Sequence, residues 1–281
     1  MGVTNDEHWL LGVSRRLSEV PGVGAIVLGG SRAAGTSTPH SDYDLGLYYE
    51  RDHPLDIASL AASVRTLDDA GPAASVTPIG GWGPWINGGG WLTIDGRRVD
   101  LLYRDLRRVR SVITQCRRGQ VERHYQPGHP HAFVSAIYMG EVACCKPLWD
   151  PSGIVHRLKR RTLPYPEPLR RGLTRTFLWE ARFAMENARH GRAREDVAYV
   201  VGRCFRSAAC LCQVLFAINR TYLLNEKGAV LCTQRLVLSP GDFSARVTAG
   251  LHRACAGDTA AAVEELSALV AETETLAISH P

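Results

Sequence analysis

The sequence predicts an α+β chain in two parts: a mixed β-sheet with helices over residues 1–125, then a helical bundle over residues 126–281. Three observations carry that prediction. Strand-like runs bounded by glycine and proline crowd into the first half. The dipeptide Asp95-Gly96 sits between two of them, and beyond 125–130 the apolar residues recur almost only at helical spacing.

Thr4 with Glu7 three positions on makes a capping box, and Leu10, Val13 and Leu17 follow at helical spacing until Pro21-Gly22 stops the pattern. A strand over 23–28, a turn around Ser31 and a strand over 45–49 come next. A helix is expected over 55–69, carrying Ile57, Leu60, Val64 and Leu67 and closed by Gly71-Pro72. A short strand is expected near 75–79. Residues 80–90 hold six glycines with Trp82, Pro84 and Trp85, a loop composition. The runs 91–94 and 97–103 then flank Asp95-Gly96, whose residues both tolerate positive φ, so a β-hairpin is expected there. Leu106, Val109, Val112, Ile113 and Cys116 mark a helix that ends near Gly119. Two prolines and a glycine over 125–130 make a joint between domains. Helical patterns follow at 131–144, 168–189, 194–219, 242–255 and 259–276, without internal repeat or low-complexity tract.

With 281 residues, 45% hydrophobic and 22% charged, the chain can bury one large core or two modest ones, and two domains are expected. No run approaches the roughly 18 consecutive apolar residues of a membrane span, and Asp6 and Glu7 stand where a leader peptide would be basic and then apolar. Met1-Gly2 lacks the Ser or Thr at position 6 that myristoylation requires, since Asp6 stands there. A soluble, cytoplasmic protein is expected. The eight cysteines form no Cys-x-x-Cys pair, and Cys204, Cys210 and Cys212 read as small buried thiols of one apolar helix, which fits a reducing compartment. A formal charge of +5, with arginine-rich clusters at 107–110, 157–161 and 170–175, suits either an anionic ligand or solvated helix faces.

Gly29-Gly30-Ser31-Arg32 followed by Asp42-Tyr43-Asp44-Leu45 carries the chemistry, because it joins a small-residue turn between strands to two carboxylates two apart. Residues i and i+2 of a strand share a face, so Asp42 and Asp44 can reach one site if Asp42 lies where the strand begins. Two like charges held that close call for a counter-charge, and magnesium, which takes hard oxygen ligands together with substrate phosphates, is the natural one. Asp100, flanked by apolar residues in the second hairpin strand, is the third carboxylate. Gly30 lets a phosphate approach the backbone, Ser31 offers a hydroxyl, and Arg32-Ala33-Ala34 can open a helical turn whose N–H groups face an anion. Together these parts would hold a triphosphate on two metal ions suited to in-line displacement.

This pattern resembles the nucleotidyltransferase superfamily that includes DNA polymerase beta, with its Gly-Ser, spacer, Asp-x-Asp pair and later strand carboxylate. The resemblance implies that Gly30 and Ser31 bind the triphosphate and that Asp42 and Asp44 bind both Mg²⁺ ions. Asp100 would bind one ion and orient or deprotonate the acceptor. It covers residues 23–103; the helical half is similar only in architecture to the antibiotic-modifying branch, of the kanamycin and streptomycin type. Implied is an enzyme that moves a nucleoside monophosphate from a triphosphate, ATP the first expectation, to a hydroxyl of a small molecule such as an aminoglycoside-like antibiotic, bound between the two parts, with release of pyrophosphate. The rival readings are nucleotidylation of a protein or RNA, as in toxin–antitoxin systems, and a non-catalytic nucleotide-binding regulator.

Neither a P-loop nor a Gly-x-Gly-x-x-Gly fingerprint follows the first strand, which excludes the common ATPase and dehydrogenase patterns. Arg32 and Ser41 are further phosphate-binding candidates, Arg32 being equally suited to pairing with a carboxylate. His124, His129 and His131 lie in the proline-broken joint and read as loop histidines rather than metal ligands. Trp82, Trp85 and Trp91 read first as packing under the glycine-rich loop, with stacking on a ligand as the alternative. Glu141, and behind it Glu180, are the candidates for a general base. The apolar C-terminal helices would suit a homodimer. No nucleic-acid module is recognisable.

Overall fold

The protein is described here from a computed structural model covering residues 5–35 and 37–280; Met1, Gly2 and the capping residue Thr4 lie outside them. The chain divides into two compact units, one of residues 1–114 and 123–164, the other of 115–122 and 165–281. The second unit resumes at Tyr165, with its first complete helix opening at Glu167, and the segment 123–164 belongs to the unit that holds the sheet.

In the first unit, α1 (Asn5–Ser18) carries Asp6 and Glu7 in its first turn and Arg15 and Arg16 in its last, charges that complement the helix dipole. Then come β1 (Ala25–Leu28), the short α2 (Gly30–Ala34), β2 (Tyr43–Tyr49), α3 (Ile57–Leu67), β3 (Gly89–Ile94), β4 (Arg97–Asp105) and α4 (Leu106–Cys116). The remainder is β5 (Arg123–His124), β6 (Phe133–Val134), α5 (Ala136–Cys144), β7 (Lys146–Trp149) and α6 (Ile154–Thr162). The main sheet has the order β3-β4-β2-β1-β7, with β2 and β4 parallel and the other neighbours antiparallel. β5 and β6 form a separate antiparallel pair.

The β3–β4 hairpin closes through Asp95 (φ 51°) and Gly96 (φ 72°), the positive-φ pair expected of a two-residue turn. The Asp69 carboxylate pins it by accepting from the N–H groups of both turn residues, at 3.0 and 2.9 Å. One face of the sheet is the core: Leu45, Leu47, Val99, Leu101, Ile26, Leu28, Leu92 and Ile94 pack with Leu10, Val13 and Leu17 of α1 and Leu60 and Val64 of α3. The other face carries Asp44, Gly46 and Tyr48 of β2 with Asp100, Leu102 and Arg104 of β4.

No strand forms over 75–79. The Thr77 N–H does donate to the Gly89 carbonyl, but the Gly89 N–H returns to the Thr77 hydroxyl rather than to a backbone carbonyl, so the ladder never closes. The helix expected over 131–144 starts only at Ala136, because Phe133 and Val134 pair with β5. β7 and α6 were not foreseen. Lys159 of α6 locks them in place, its ammonium donating to the carbonyls of Val142, Ala143 and Cys145, the otherwise open end of α5.

The second unit is helical: α7 (Glu167–Arg192), α8 (Val197–Ile218), the single turn α9 (Ala229–Cys232), α10 (Phe243–Cys255) and α11 (Thr259–Ser279). Leu169, Leu173, Phe177, Ala181, Ala184 and Ala188 bury one stripe of α7. α8 is apolar and long enough to cross a membrane by composition, but 61% of its apolar window is buried, and Cys204, Leu211 and Leu215 are core residues. All eight cysteines are thiols rather than disulfides. Burial pushes the thiols of Cys204 and Cys212 up, to about 11 and about 12, so they are packing groups rather than reactive ones.

Candidate active site

The site is written in strand register. In the parallel β2–β4 pair Asp44 lies directly beside Asp100, and across the hairpin Asp100 lies directly opposite Trp91. On the other side the Gly29 N–H donates to the Asp44 carbonyl at 2.7 Å, which extends the same row to the end of β1. One row across the sheet therefore reads Trp91, Asp100, Asp44, Gly29. Residues aligned in this way project from the same face, the one opposite the main core. Asp44 and Asp100 are each half-buried.

The turn after β1 wraps the first carboxylate. Gly30 has φ +58°, and a Cβ there would lie 1.8 Å from Oδ2 of Asp44, so only glycine lets the turn close over that oxygen. Arg32 does not reach across the site. Its guanidinium donates to the carbonyls of Ser41, at 2.7 and 3.1 Å, and of Asp42, at 3.2 Å, and lies 3.7 Å over the Tyr43 ring. It fastens the returning loop to α2 and so fixes where β2 begins. The Ser41 hydroxyl accepts from the Thr38 N–H at 2.9 Å, a turn-forming contact. Ser31 opens α2 beside Gly30 and is half-buried.

Asp42 sits one residue before β2, where its carboxylate meets Nε of Arg98 at 2.6 Å. Arg98, two residues before Asp100 on the same strand face, also donates to the His40 carbonyl at 2.6 Å. Among the described residues no three His, Cys, Asp or Glu side chains gather as a metal-holding group, and Asp42 is engaged by this arginine. The residues nevertheless fit a hard divalent cation. Asp44 and Asp100 stand in cross-strand register on one face of the sheet, like charges so placed repel, and a cation between them would relieve that repulsion. Asp42 would join them on leaving Arg98.

Glu141 is not placed as a general base. Both its oxygens accept from Arg104, at 2.8 and 2.6 Å, four residues along β4 from Asp100. Glu180 lies in the second unit, ion-paired to Arg206. The tryptophans separate. Trp85 is packing, 8% exposed and stacked on both His124 and Phe133. Trp91 is 73% exposed and stacks on Trp82 with ring centroids 4.6 Å apart. His129 also packs, edge-on against Phe133. Sequence reasoning passed over Arg98, which an arginine alternating with Asp100 on one strand face would have flagged.

Residues 11–115 match the family model of the nucleotidyltransferase domain. That stretch holds Gly30, Ser31, Asp42, Asp44 and Asp100. The chain is also similar in structure to a nucleotidyltransferase-like protein from Exiguobacterium sibiricum 255-15, with 10% identity and a TM-score of 0.44 over 96% of this chain and 78% of that one. No curated protein matches it.

Proposed function

We propose that the protein transfers a nucleoside monophosphate from a nucleoside triphosphate, ATP first among them, to a hydroxyl of a small-molecule acceptor of the aminoglycoside type. The observation that carries this reading is the in-register pair Asp44–Asp100 beside the turn at Gly29–Gly30. Asp44 and Asp100 would hold Mg²⁺, joined by Asp42. Bound there, the metal supplies Lewis-acid polarisation of the phosphoryl oxygens and charge neutralisation.

The chain's own groups do the rest. Gly30 and Ser31 receive the outer phosphates on the β1 side of the row. Asp100 orients the acceptor hydroxyl and takes its proton. The acceptor oxygen bonds to the α-phosphorus while the bond from that phosphorus to the β-phosphate oxygen breaks, and pyrophosphate leaves toward Ser31. A small acceptor is favoured over RNA because part of each arginine cluster is engaged by the protein itself: Arg110 by Glu50, Arg108 by the Pro84 carbonyl, Arg161 by Thr114 and Arg170 by Glu167. The free cysteines suit a reducing, cytoplasmic setting.

The test is incubation of the full chain with Mg²⁺ and each triphosphate, alone and with hydroxyl acceptors or RNA, reading pyrophosphate and a mass gain of one nucleotide on the acceptor. Asp44→Asn and Asp100→Asn should each lower the rate by at least about 100-fold while remaining folded. Mg²⁺ should raise the Tm of the wild type and not of Asp100→Asn. Pyrophosphate release that survives either substitution removes that residue from the chemistry, and labelled RNA replaces the small-molecule reading.

A further inference from the structure

We infer that the stacked pair Trp82–Trp91 is the acceptor platform, holding the flat face of a saturated, sugar-like ring whose hydroxyl is attacked at phosphorus. This rests on the nucleotidyl-transfer reading above and adds to it the residues that select the acceptor.

Position makes the first argument. The row across the sheet runs Trp91, Asp100, Asp44, Gly29. With strands about 4.8 Å apart, Trp91 stands roughly 5 Å from Asp100 and roughly 10 Å from Asp44, on the side away from the glycine turn. In an in-line displacement the nucleophile and the leaving group occupy opposite sides of the phosphorus. If pyrophosphate leaves toward Gly30 and Ser31, the attacking hydroxyl arrives from the Trp91 side, over Asp100.

Exposure and rigidity make the second. Trp91 keeps 73% of its surface in solvent even after stacking on Trp82, whereas Trp85 in the same region is 8% exposed. The partner is held from below. A Cβ on Gly89 would lie 2.8 Å from the Trp82 ring, so the indole beds directly on the β3 backbone. Its loop is anchored by Gln126, 1% exposed, whose side-chain amide donates to the Trp82 carbonyl and whose oxygen accepts from the N–H groups of Trp85, at 3.3 Å, and Ile86, at 3.4 Å. An exposed aromatic face fixed by a buried polar strut loses little freedom when a ligand docks.

Chemistry makes the third. The polarised C–H bonds of a saturated ring meet the electron-rich indole face, and amino substituents add attraction to both the aromatic rings and the nearby carboxylates.

The experiment uses the full chain, with Trp91→Ala, Trp82→Ala and the conservative Trp91→Phe, titrated calorimetrically against two probes in separate runs: kanamycin as the ring-bearing hydroxyl compound and MgATP as the nucleotide. Trp91→Ala should weaken kanamycin binding about fivefold or more, Trp91→Phe should restore most of it, and MgATP affinity should stay within about twofold in all three. Loss of MgATP affinity in Trp91→Ala would make the pair a nucleobase platform and overturn the inference. So would kanamycin binding that is absent in the wild type or equal in wild type and Trp91→Ala. If the probes behave as expected but no pyrophosphate is ever released, the transfer reading fails and the platform stands.

Discussion

Arg104 sits on the same sheet face as Asp100 and is 4% exposed. Burial alone would drive its guanidinium toward losing the proton; the Glu141 carboxylate more than reverses this, so its pKa rises above the ordinary value. Glu141→Ala leaves that cation buried without a counter-ion and should cost about 3–5 kcal/mol, read by urea denaturation. Glu141→Gln keeps an acceptor oxygen. It should lower Tm yet leave kcat of the folded protein within about twofold, whereas a collapse of kcat with the fold intact would return Glu141 to the chemistry. At this scale the sequence displayed Gly30, Ser31, Asp42, Asp44 and Asp100 openly, since each is an unusual residue type for its local pattern. Arg98 was passed over although it alternates with Asp100, and Trp91 was read first as packing; what sets each apart is the residue it meets, Asp42 for Arg98 and Asp100 opposite Trp91, and pairing partners are not written in local spacing.

Among the elements, α1, α3, α4 and the hairpin were legible because their apolar periods and turn residues are local. β7 was not. Lys146-Pro147-Leu148-Trp149 has no alternating pattern, and it becomes a strand only by pairing with β1, with a register shift between Ile26 and Val27, at an edge where a proline is tolerated. The helix after it depends on Asp150. Its carboxylate accepts from the N–H groups of Ile154, at 2.8 Å, and His156, at 3.1 Å, and meets the His156 ring at 2.8 Å. Burial raises the Asp150 pKa, but these bonds, led by the imidazole, outweigh it and hold the carboxyl below the ordinary 3.8. A depressed folded pKa means stability that is complete above the unfolded value and lost as pH falls through the folded one. Asp150→Ala should therefore cost about 1 kcal/mol at pH 7. The gap from wild type should close as pH falls below the ordinary carboxyl value of 3.8 and through the depressed one, in parallel urea titrations.

At the scale of the whole molecule, the backbone passes between the two units after residues 114, 122 and 164, so neither unit is one continuous stretch. Residues 115–122 belong with the helices: Cys116 is fully buried, and a Cβ on Gly172 would lie 2.2 Å from the Gly119 carbonyl. A fragment of residues 165–281 should accordingly melt well below the same helices in the intact chain, and a 115–281 fragment should recover part of the difference; equal melting of the two would show that the segment adds nothing. The place of β1 in the sheet also has a consequence for synthesis. Its free side is covered only by β7, and Lys146 is made 118 residues after Leu28. At about 5–20 residues per second, the ribosome leaves Ile26, Val27 and Leu28 with an open hydrogen-bonding edge for roughly 6–24 s. During that interval the strand beneath the glycine turn is the part of the nascent chain most open to pairing with a neighbour, or to a chaperone that shields it.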